Sequence, residues 1–243
     1  MKMLALAKRN VKEIIRDPLN LAFGLGFPLV LLLLLSAIQA NIPVSLFEID
    51  SLAPGVCVFG LSFMTLFSAT LISKDRGSSL LRRLYTTPLK ASDFILAYTL
   101  PIIPIALMQT VICIIAAIAL GLDISINILL LPLTILPVSI LYIALGLLFG
   151  SILNDKQVGG ICGALLTNLS AWLSGIWFDL NLVGGAFKSI AYALPFVHAV
   201  EMERAALAGD FSEILSHLWW VLLYAAICLV AAVILFLRQM KRQ

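Results

Sequence analysis

Six long apolar runs constrain this chain more than any other feature of its sequence. They cover residues 19–39, 53–73, 94–120, 127–151, 158–178 and 217–237. A helix needs roughly 20 apolar residues to cross the hydrocarbon core of a bilayer. Of the 243 residues, 62% are hydrophobic and 12% are charged, whereas soluble domains average about 45–50% and about 25%. We therefore predict an all-α, polytopic membrane protein with six transmembrane helices.

These runs leave little of the chain for other structures. The longest gap between them, 179–216, is too short to hold a soluble catalytic domain. The first run is longer than the core of a signal peptide, so we expect it to be retained rather than cleaved. The four cysteines all fall inside predicted spans, which favours buried apolar positions over a disulfide or a metal site. Residues 1–243 are thus predicted to form a single transmembrane domain.

Lysine and arginine are distributed unevenly between the connections. Of the 16 such residues, all but Lys188 and Arg204 lie in the N-terminal segment, in the 74–92 connection, at Lys156 or in the C-terminal tail. Cytoplasmic loops carry an excess of these residues. We therefore predict a multi-pass protein of the cell membrane, of a prokaryotic type, with both termini in the cytoplasm. The net charge of +3 is too small to indicate a nucleic-acid partner.

Residues 1–18 are predicted to form an amphipathic helix at the membrane surface. Leu4, Ala7, Val11, Ile14 and Ile15 recur at helical spacing, and charged residues fill the other face. The segment fits a basic anchor that only fixes topology. It also fits a surface that meets a cytoplasmic partner, and the residues of this segment leave both interpretations open.

The predicted membrane interior is nearly free of ionisable residues. Ion-driven carriers usually place acidic, histidine or arginine side chains there. An intramembrane enzyme needs a nucleophile or a metal cluster, but His198 and His217 have no acid or serine at a suitable spacing. Both an ion-coupled secondary carrier and an intramembrane enzyme are disfavoured. The driving energy is expected to enter from outside the membrane.

The polar stretch SKDRGSSLLRRLYTTPLK, residues 73–90, separates the second and third runs. Gly77 is expected to end the preceding helix, and Pro88 prevents easy continuation of the next one. The short helix predicted between them carries one apolar stripe, which consists of Leu80, Leu81, Leu84 and Tyr85. Docking to a cytoplasmic partner and a helix that lies on the membrane surface both fit this pattern.

Within this stretch, DRGSSLLRRLYTTPL resembles the coupling-loop signature of type 2 ABC exporter permeases. Those permeases show an acidic residue, Arg, Gly and Thr, then leucines, then Thr-Pro-Leu. Ser78 stands here in place of the Thr, and Ser73 stands where a second acidic residue is often found. A second stretch, 173–211, is similar to the segment that follows the fifth span in that family. Its matching residues are Ser174, Gly175, Phe178, Leu194, Pro195, Arg204 and Gly209, with Asp179 in place of the usual Pro.

The resemblance covers essentially the whole chain and implies both fold and function. It implies a cytoplasmic coupling helix within 74–92 and an extracytoplasmic re-entrant hairpin within 179–216, before the last span. The implied function is the permease subunit of an ATP-driven ABC exporter, which moves a hydrophobic or amphiphilic drug, antibiotic, peptide or lipid by alternating access. A polysaccharide or glycolipid exporter is the alternative. The implied partners are cytoplasmic ABC ATPase subunits, a second copy or a related permease in a dimer, and membrane lipids.

The chain has no GxxxxGK[ST] phosphate loop. ATP and Mg²⁺ are therefore expected on the partner subunit, and this chain is expected to hold no cofactor or metal and to have no catalytic residues. The residues that the resemblance assigns to ATPase coupling are Asp75, Arg76, Gly77, Ser78, Leu81, Arg82, Arg83, Tyr85, Thr87, Pro88, Lys8 and Lys12.

The substrate pathway of that family is expected between spans two and five of both protomers. The candidates in this chain are Phe63, Met64, Phe67, Asn168 and Trp172. Aromatic and methionine side chains adapt to large apolar ligands. For any one of these residues, ordinary helix packing or lipid contact is the competing interpretation. None of these candidate residues is charged, which favours a hydrophobic or amphiphilic cargo over a large anionic polymer.

Overall fold

The computed structural model describes residues 2–78 and 91–241, and the regular structure of these residues is entirely helical. The first half contains α1 (Lys2–Ile15), α2 (Pro18–Gln39), α3 (Ile49–Gly77), α4 (Ala91–Thr99) and α5 (Ile103–Ala119). A 3₁₀ helix (Ile126–Leu130) leads into α6 (Leu131–Ile152), and α7 (Asp155–Val158), a π-helix (Gly159–Leu166) and α8 (Thr167–Leu173) follow. The last elements are α9 (Leu180–Val183), α10 (Gly185–Ala193), α11 (Pro195–Ala208) and α12 (Phe211–Lys241).

Five helical segments in the described residues are long and apolar enough to cross a membrane. They are Pro18–Gln39, Ile49–Gly77, Ser92–Ala119, Ile126–Ile152 and Phe211–Arg238. These segments confirm five of the six predicted runs, with bounds that differ by a few residues. The third segment joins α4 and α5 across a break at 100–102, where Pro101 cannot donate a helical hydrogen bond. The chain is thus a multi-pass membrane protein.

The remaining predicted run, 158–178, differs from the helix that the structure contains. Helical structure extends over 155–173, and its middle eight residues form a π-helix. The predicted end at 178 was wrong, because the helix stops at Leu173 and Gly175 adopts a φ of +71°, which favours glycine. Since this segment is not among the five, a sixth crossing stays a prediction. π-helical turns are rare and often mark functional sites.

The centre of the bundle is α3, which packs closely against α6. A Cβ atom on Gly146 would lie 2.5 Å from the Thr65 carbonyl oxygen, and one on Gly150 would lie 2.7 Å from the Ala69 carbonyl oxygen. The Thr65 hydroxyl donates to the Tyr142 carbonyl at 2.7 Å. Small residues let two helices approach closely where lipid supplies no hydrophobic drive for association. The two glycines therefore set the distance between α3 and α6.

The two ends of the bundle differ in charge. The basic end consists of α1, the end of α3, the start of α4 and the connection from α6 to α7. The acidic end consists of α9, α10, α11 and the start of α12, together with the connections from α2 to α3 and from α5 to α6. The predicted re-entrant segment, 179–216, corresponds to α9, α10, α11 and the first residues of α12, and its re-entry into the membrane stays a prediction. The predicted coupling helix lies outside the described residues.

Candidate functional site

Asp75, near the end of α3, joins three helices at the basic end. Its side chain is buried, with 1% of the residue exposed. One carboxylate oxygen, Oδ2, accepts a hydrogen bond from the Arg9 guanidinium of α1 at 2.5 Å and another from the Tyr98 hydroxyl of α4 at 2.5 Å. Charge-assisted hydrogen bonds of this kind are stronger than neutral ones. The buried charge is thus compensated from two neighbouring helices, which fixes α1 and α4 against α3.

The inner face of α1 strengthens this attachment. Asn10 is fully buried, and its side-chain amide donates to the Ala97 carbonyl of α4 at 3.0 Å. Helix α1 packs against α4 through a narrow stripe centred on Asn10, and the membrane contact of its predicted apolar face stays a prediction. The buried residues are Leu6, Ala7, Asn10 and Ile14, whereas Leu4, Val11 and Ile15 are exposed together with the predicted coupling residues Lys8 and Lys12.

Arg76 joins α3 to the end of α6. Its guanidinium donates to the carbonyl oxygens of Ser151, Ile152 and Leu153. The last carbonyl groups of a helix have no partner within the helix and carry partial negative charge. Arg76 therefore supplies hydrogen-bond donors to the last carbonyl groups of α6 and holds this end of α6 beside the end of α3.

The predicted coupling stretch is described only at its start. Helix α3 ends at Gly77, as the sequence predicts, and Gly77 is exposed. The Ser78 hydroxyl donates to the Asp75 carbonyl at 2.9 Å. The remaining predicted coupling residues, Leu81, Arg82, Arg83, Tyr85, Thr87 and Pro88, lie outside the described residues. Their roles stay predictions.

An aromatic groove of about 360 Å³ lies between α2, α3 and the segment formed by the π-helix and α8. Its rings contact one another, with centroid distances of 5.9 Å for Phe27 and Phe63 and 5.6 Å for Phe59 and Trp177. Thr167 and Asn168 supply its polar side chains. The groove is open on one side, so it can accept an apolar or amphiphilic molecule.

Two of the five predicted pathway residues, Phe63 and Asn168, line this groove. Met64 is completely buried in the core, and Trp172 is half exposed on α8. Phe67 packs against Gly24 of α2, where a Cβ atom would lie 2.6 Å from the ring. The sequence analysis missed Phe27, Phe59 and Trp177. The helical spacing of Phe59 with Phe63, and of Phe23 with Phe27, was the signal that could have indicated an aromatic face.

The acidic end contains a pair of histidines that the sequence analysis treated as separate residues. His198 of α11 and His217 of α12 bring their Nδ1 atoms to 2.9 Å. The His198 Nε2–H donates to the Tyr192 carbonyl at 3.0 Å, so its Nδ1 accepts from His217. The His198 ring also stacks on Trp220, with centroids 4.9 Å apart. No group of three or more metal-ligating side chains occurs within residues 2–78 and 91–241.

We expect acid to loosen this contact between α11 and α12. Burial, followed by the charge on His217, lowers the pKa of His198 from its ordinary value. A group with a lowered pKa stabilises the packed form above its unperturbed pKa, about 6.5, and that stability is lost as the pH falls below it. Amide hydrogen exchange in residues 211–224 at the start of α12, corrected for its intrinsic rate, should rise about threefold between pH 7.5 and pH 5. Replacing His217 with Gln should reduce this increase, and an unchanged increase would contradict the assignment.

Comparison with known proteins agrees with this geometry. The family model described as ABC-2 type transporter matches residues 1–208. The matched region runs from α1 to the end of α11, so it includes the Asp75 cluster, the aromatic groove and most of the acidic end. A search of curated proteins found no match.

Proposed function

The chain belongs to the ABC-2 type transporter family, and from this premise we propose that it exports a hydrophobic or amphiphilic molecule. Membership makes it the membrane-spanning permease subunit of an ABC transporter, and we propose that it works with separate ABC ATPase subunits. In our proposal ATP and Mg²⁺ bind to the ATPase subunits. Closure of these subunits is transmitted through the basic end, and the cargo path then changes from inward to outward access.

The proposed class of cargo rests on the residues that line the aromatic groove. Among the described residues, no charged side chain lines it, and its polar groups are Thr167 and Asn168. Rings on three sides provide apolar contact area without a fixed hydrogen-bonding pattern. Such a wall suits a drug, an antibiotic, an apolar peptide or a lipid, whereas a large anionic polymer requires cationic contacts. We therefore propose an amphiphilic cargo that binds in the groove.

A second copy of the chain is proposed to cover the open side of the groove. Gly159 and Gly160 have free space where a Cβ would be, and Ala164 and Asn168 continue along the same exposed side of the segment. The Asn168 amide donates to the Ala164 carbonyl at 2.8 Å. Small residues favour close helix packing in membranes, and an amide that faces lipid gains from a polar partner. In this arrangement 155–173 forms the sixth crossing and lies at the dimer interface.

The basic end is proposed to face the cytoplasm and to meet the ATPase. Lys8 and Lys12 are exposed there, whereas Asp75 and Arg76 are engaged with neighbouring helices. We therefore divide the predicted coupling residues into two roles. The lysines and the segment 79–90 contact the ATPase, and Asp75 with Arg76 transmits the movement to α1, α4 and α6.

Co-purification of the ATPase tests this proposal directly. The tagged chain is extracted from its own cells in mild detergent, and its partners are identified by mass spectrometry. An ABC ATPase subunit should be recovered with the unchanged chain. A variant with Arg82, Arg83 and Tyr85 replaced by alanine should lose at least nine-tenths of it, because these side chains belong to the proposed contact.

Lys188→Ala is the matched control, since it removes a basic residue at the opposite end of the bundle. It should retain the ATPase fully. Equal recovery with the triple variant would reject the proposed contact. Absence of any ATPase, even after cross-linking, would reject ATP-driven export and return an ion-driven carrier to consideration.

A further inference from the structure

Glu203 of α11 is a buried acid that the proposed export mechanism does not use. Its side chain is completely enclosed, and neither carboxyl oxygen has a hydrogen-bond partner. Glu201 and Arg204 on the same helix pair with each other at 3.0 Å and line an open cavity at the acidic end. Glu201 lies two residues from Glu203, which places the two acids on roughly opposite sides of the helix. Glu203 is thus directed into the bundle.

Two helices supply the polar groups nearest to this carboxyl. Cys57 of α3 is the titratable group that faces it, and Thr134 of α6 lies beside it. The Thr134 hydroxyl donates to the Leu130 carbonyl at 3.0 Å, so its proton is not available to Glu203. A buried acid without a charged partner cannot keep a carboxylate at low free-energy cost.

Polar groups continue from Glu203 across the bundle to α5. The free thiol of Cys57 lies beside that of Cys113, and Cys113 accepts from the Gln109 side-chain amide at 3.4 Å. The amide oxygen of Gln109 also lacks a partner. A Cβ atom on Gly60 would lie 2.3 Å from the Gln109 amide nitrogen, so α3 leaves space for this side chain. The bundle interior between Glu203 and Gln109 is therefore more polar than the sequence of α3 indicates.

Burial in these uncharged surroundings raises the pKa of Glu203 well above its ordinary value. The carboxyl therefore holds its proton at neutral pH while α11 packs against α3 and α6. A carboxylate becomes stable at this position only when water reaches it. That requires α11 to separate from α3 or α6.

We propose that Glu203 is a proton-binding site, occupied in this conformation and emptied when the acidic end opens. The inference rests on the proposed function, because α11 belongs to the end through which cargo is proposed to leave. A proton that binds the closed form more tightly stabilises that form. The closed form is thus favoured below the raised pKa of Glu203 and loses this advantage as the pH rises through it. Each opening releases one proton at the acidic end.

Infrared difference spectroscopy tests the occupancy of the site. The full chain in lipid nanodiscs is titrated from pH 6 to pH 10, and the carbonyl stretch of protonated carboxyl groups is followed. The unchanged chain should show this band at pH 7. Glu203→Gln should lack it, and Glu201→Gln should retain it as the matched control on the same helix. Absence of the band from the unchanged chain at pH 7 would overturn the proposal, and this result does not depend on any variant. Persistence of the band in Glu203→Gln would overturn it as well.

Hydrogen exchange tests whether the proton is coupled to opening. Between pH 7.5 and pH 9.5, exchange in residues 195–208 should rise at least threefold beyond its intrinsic increase, and Glu203→Gln should abolish the rise. His198, whose pKa is lowered from its ordinary value of about 6.5, is neutral throughout this range, so its protonation does not contribute. If amide protection of residues 195–208 in the unchanged chain does not depend on pH, Glu203 has only a structural role and the proposed coupling is overturned. Neither measurement contains an ATPase or a cargo, so their outcome is separate from that of the export proposal.

Discussion

Replacing Gly150 with valine is expected to prevent the helix bundle from assembling. Gly150 lies where α6 crosses α3, and a Cβ atom there would lie 2.7 Å from the Ala69 carbonyl oxygen and 2.9 Å from the Ala69 Cα. Both are backbone atoms, so no side-chain rotation relieves the clash. Overpacking a core with side-chain atoms costs about 1–3 kcal/mol, and the cost is larger when two backbones must separate. Separation of α3 from α6 would also break the hydrogen bond that the Thr65 hydroxyl donates to the Tyr142 carbonyl.

The measurement is the yield of monodisperse protein after extraction in mild detergent, together with its thermal unfolding midpoint. Gly150→Val should give less than a tenth of the normal yield. Gly26→Val is the matched control, because Gly26 lies in α2 with nothing within 4 Å of its Cβ position. It should match the unchanged chain. Normal yield and stability for Gly150→Val would show that the spacing of α3 and α6 is not set by this glycine.

The sequence predicted those parts of the fold that depend on contact with lipid. Apolar length alone locates a crossing, because an uncompensated polar backbone cannot remain in hydrocarbon. The five confirmed spans follow from this rule. Gly77 also marked the end of α3 correctly, since glycine favours helix ends. These features are local, so a single sequence contains them.

The parts that could not be predicted depend on which helices meet. The face of α1 that packs on α4 is set by Asn10 and the Ala97 carbonyl, which are 87 residues apart in the chain. The π-helix has no distinctive composition in GGICGALL. Glu203 lies close to Glu201 and Arg204 within 179–216, and nothing in this run of charged residues indicates a buried acid. Only the packing of α11 on α3 and α6 places it inside the bundle.

The same distinction applies to the candidate site. Phe63 and Asn168 were predicted from the expected positions of spans two and five, and both line the groove. Trp177 was missed because it follows the end of α8, where Gly175 turns the chain back toward Phe59. Met64 was predicted because methionine adapts to large apolar ligands, but it lies one residue from Phe63, and a step of one residue on a helix turns the side chain by about 100°. That rotation places Met64 in the core.

Replacing Asp75 with asparagine is expected to detach α1 from the bundle and to uncouple ATP hydrolysis from transport. Asparagine keeps the shape and still accepts from Tyr98, but it removes the carboxylate charge that lies 2.5 Å from Arg9 and leaves only the longer 3.9 Å contact with Glu13. Hydrogen bonds to charged groups contribute about 1.5–3 kcal/mol. Local opening of α1 should therefore become roughly tenfold to 100-fold more frequent, since each 1.4 kcal/mol is about a factor of ten. Amide exchange in residues 3–15 measures this increase.

The matched control is Asp17→Asn, which removes a carboxylate that lies 3.8 Å from Lys74 and is partly exposed. Asparagine can keep the N-terminal hydrogen bond to Asn20, so exchange in α1 should change less than twofold. If α1 transmits movement through Asp75, the Asp75→Asn complex should retain its ATPase subunit and yet transport at less than a tenth of the normal rate. Loss of the ATPase would instead place Asp75 in the contact itself. Normal transport with a loosened α1 would show that force reaches α3 through the 79–90 segment alone, because that segment is the other proposed connection between the ATPase and α3.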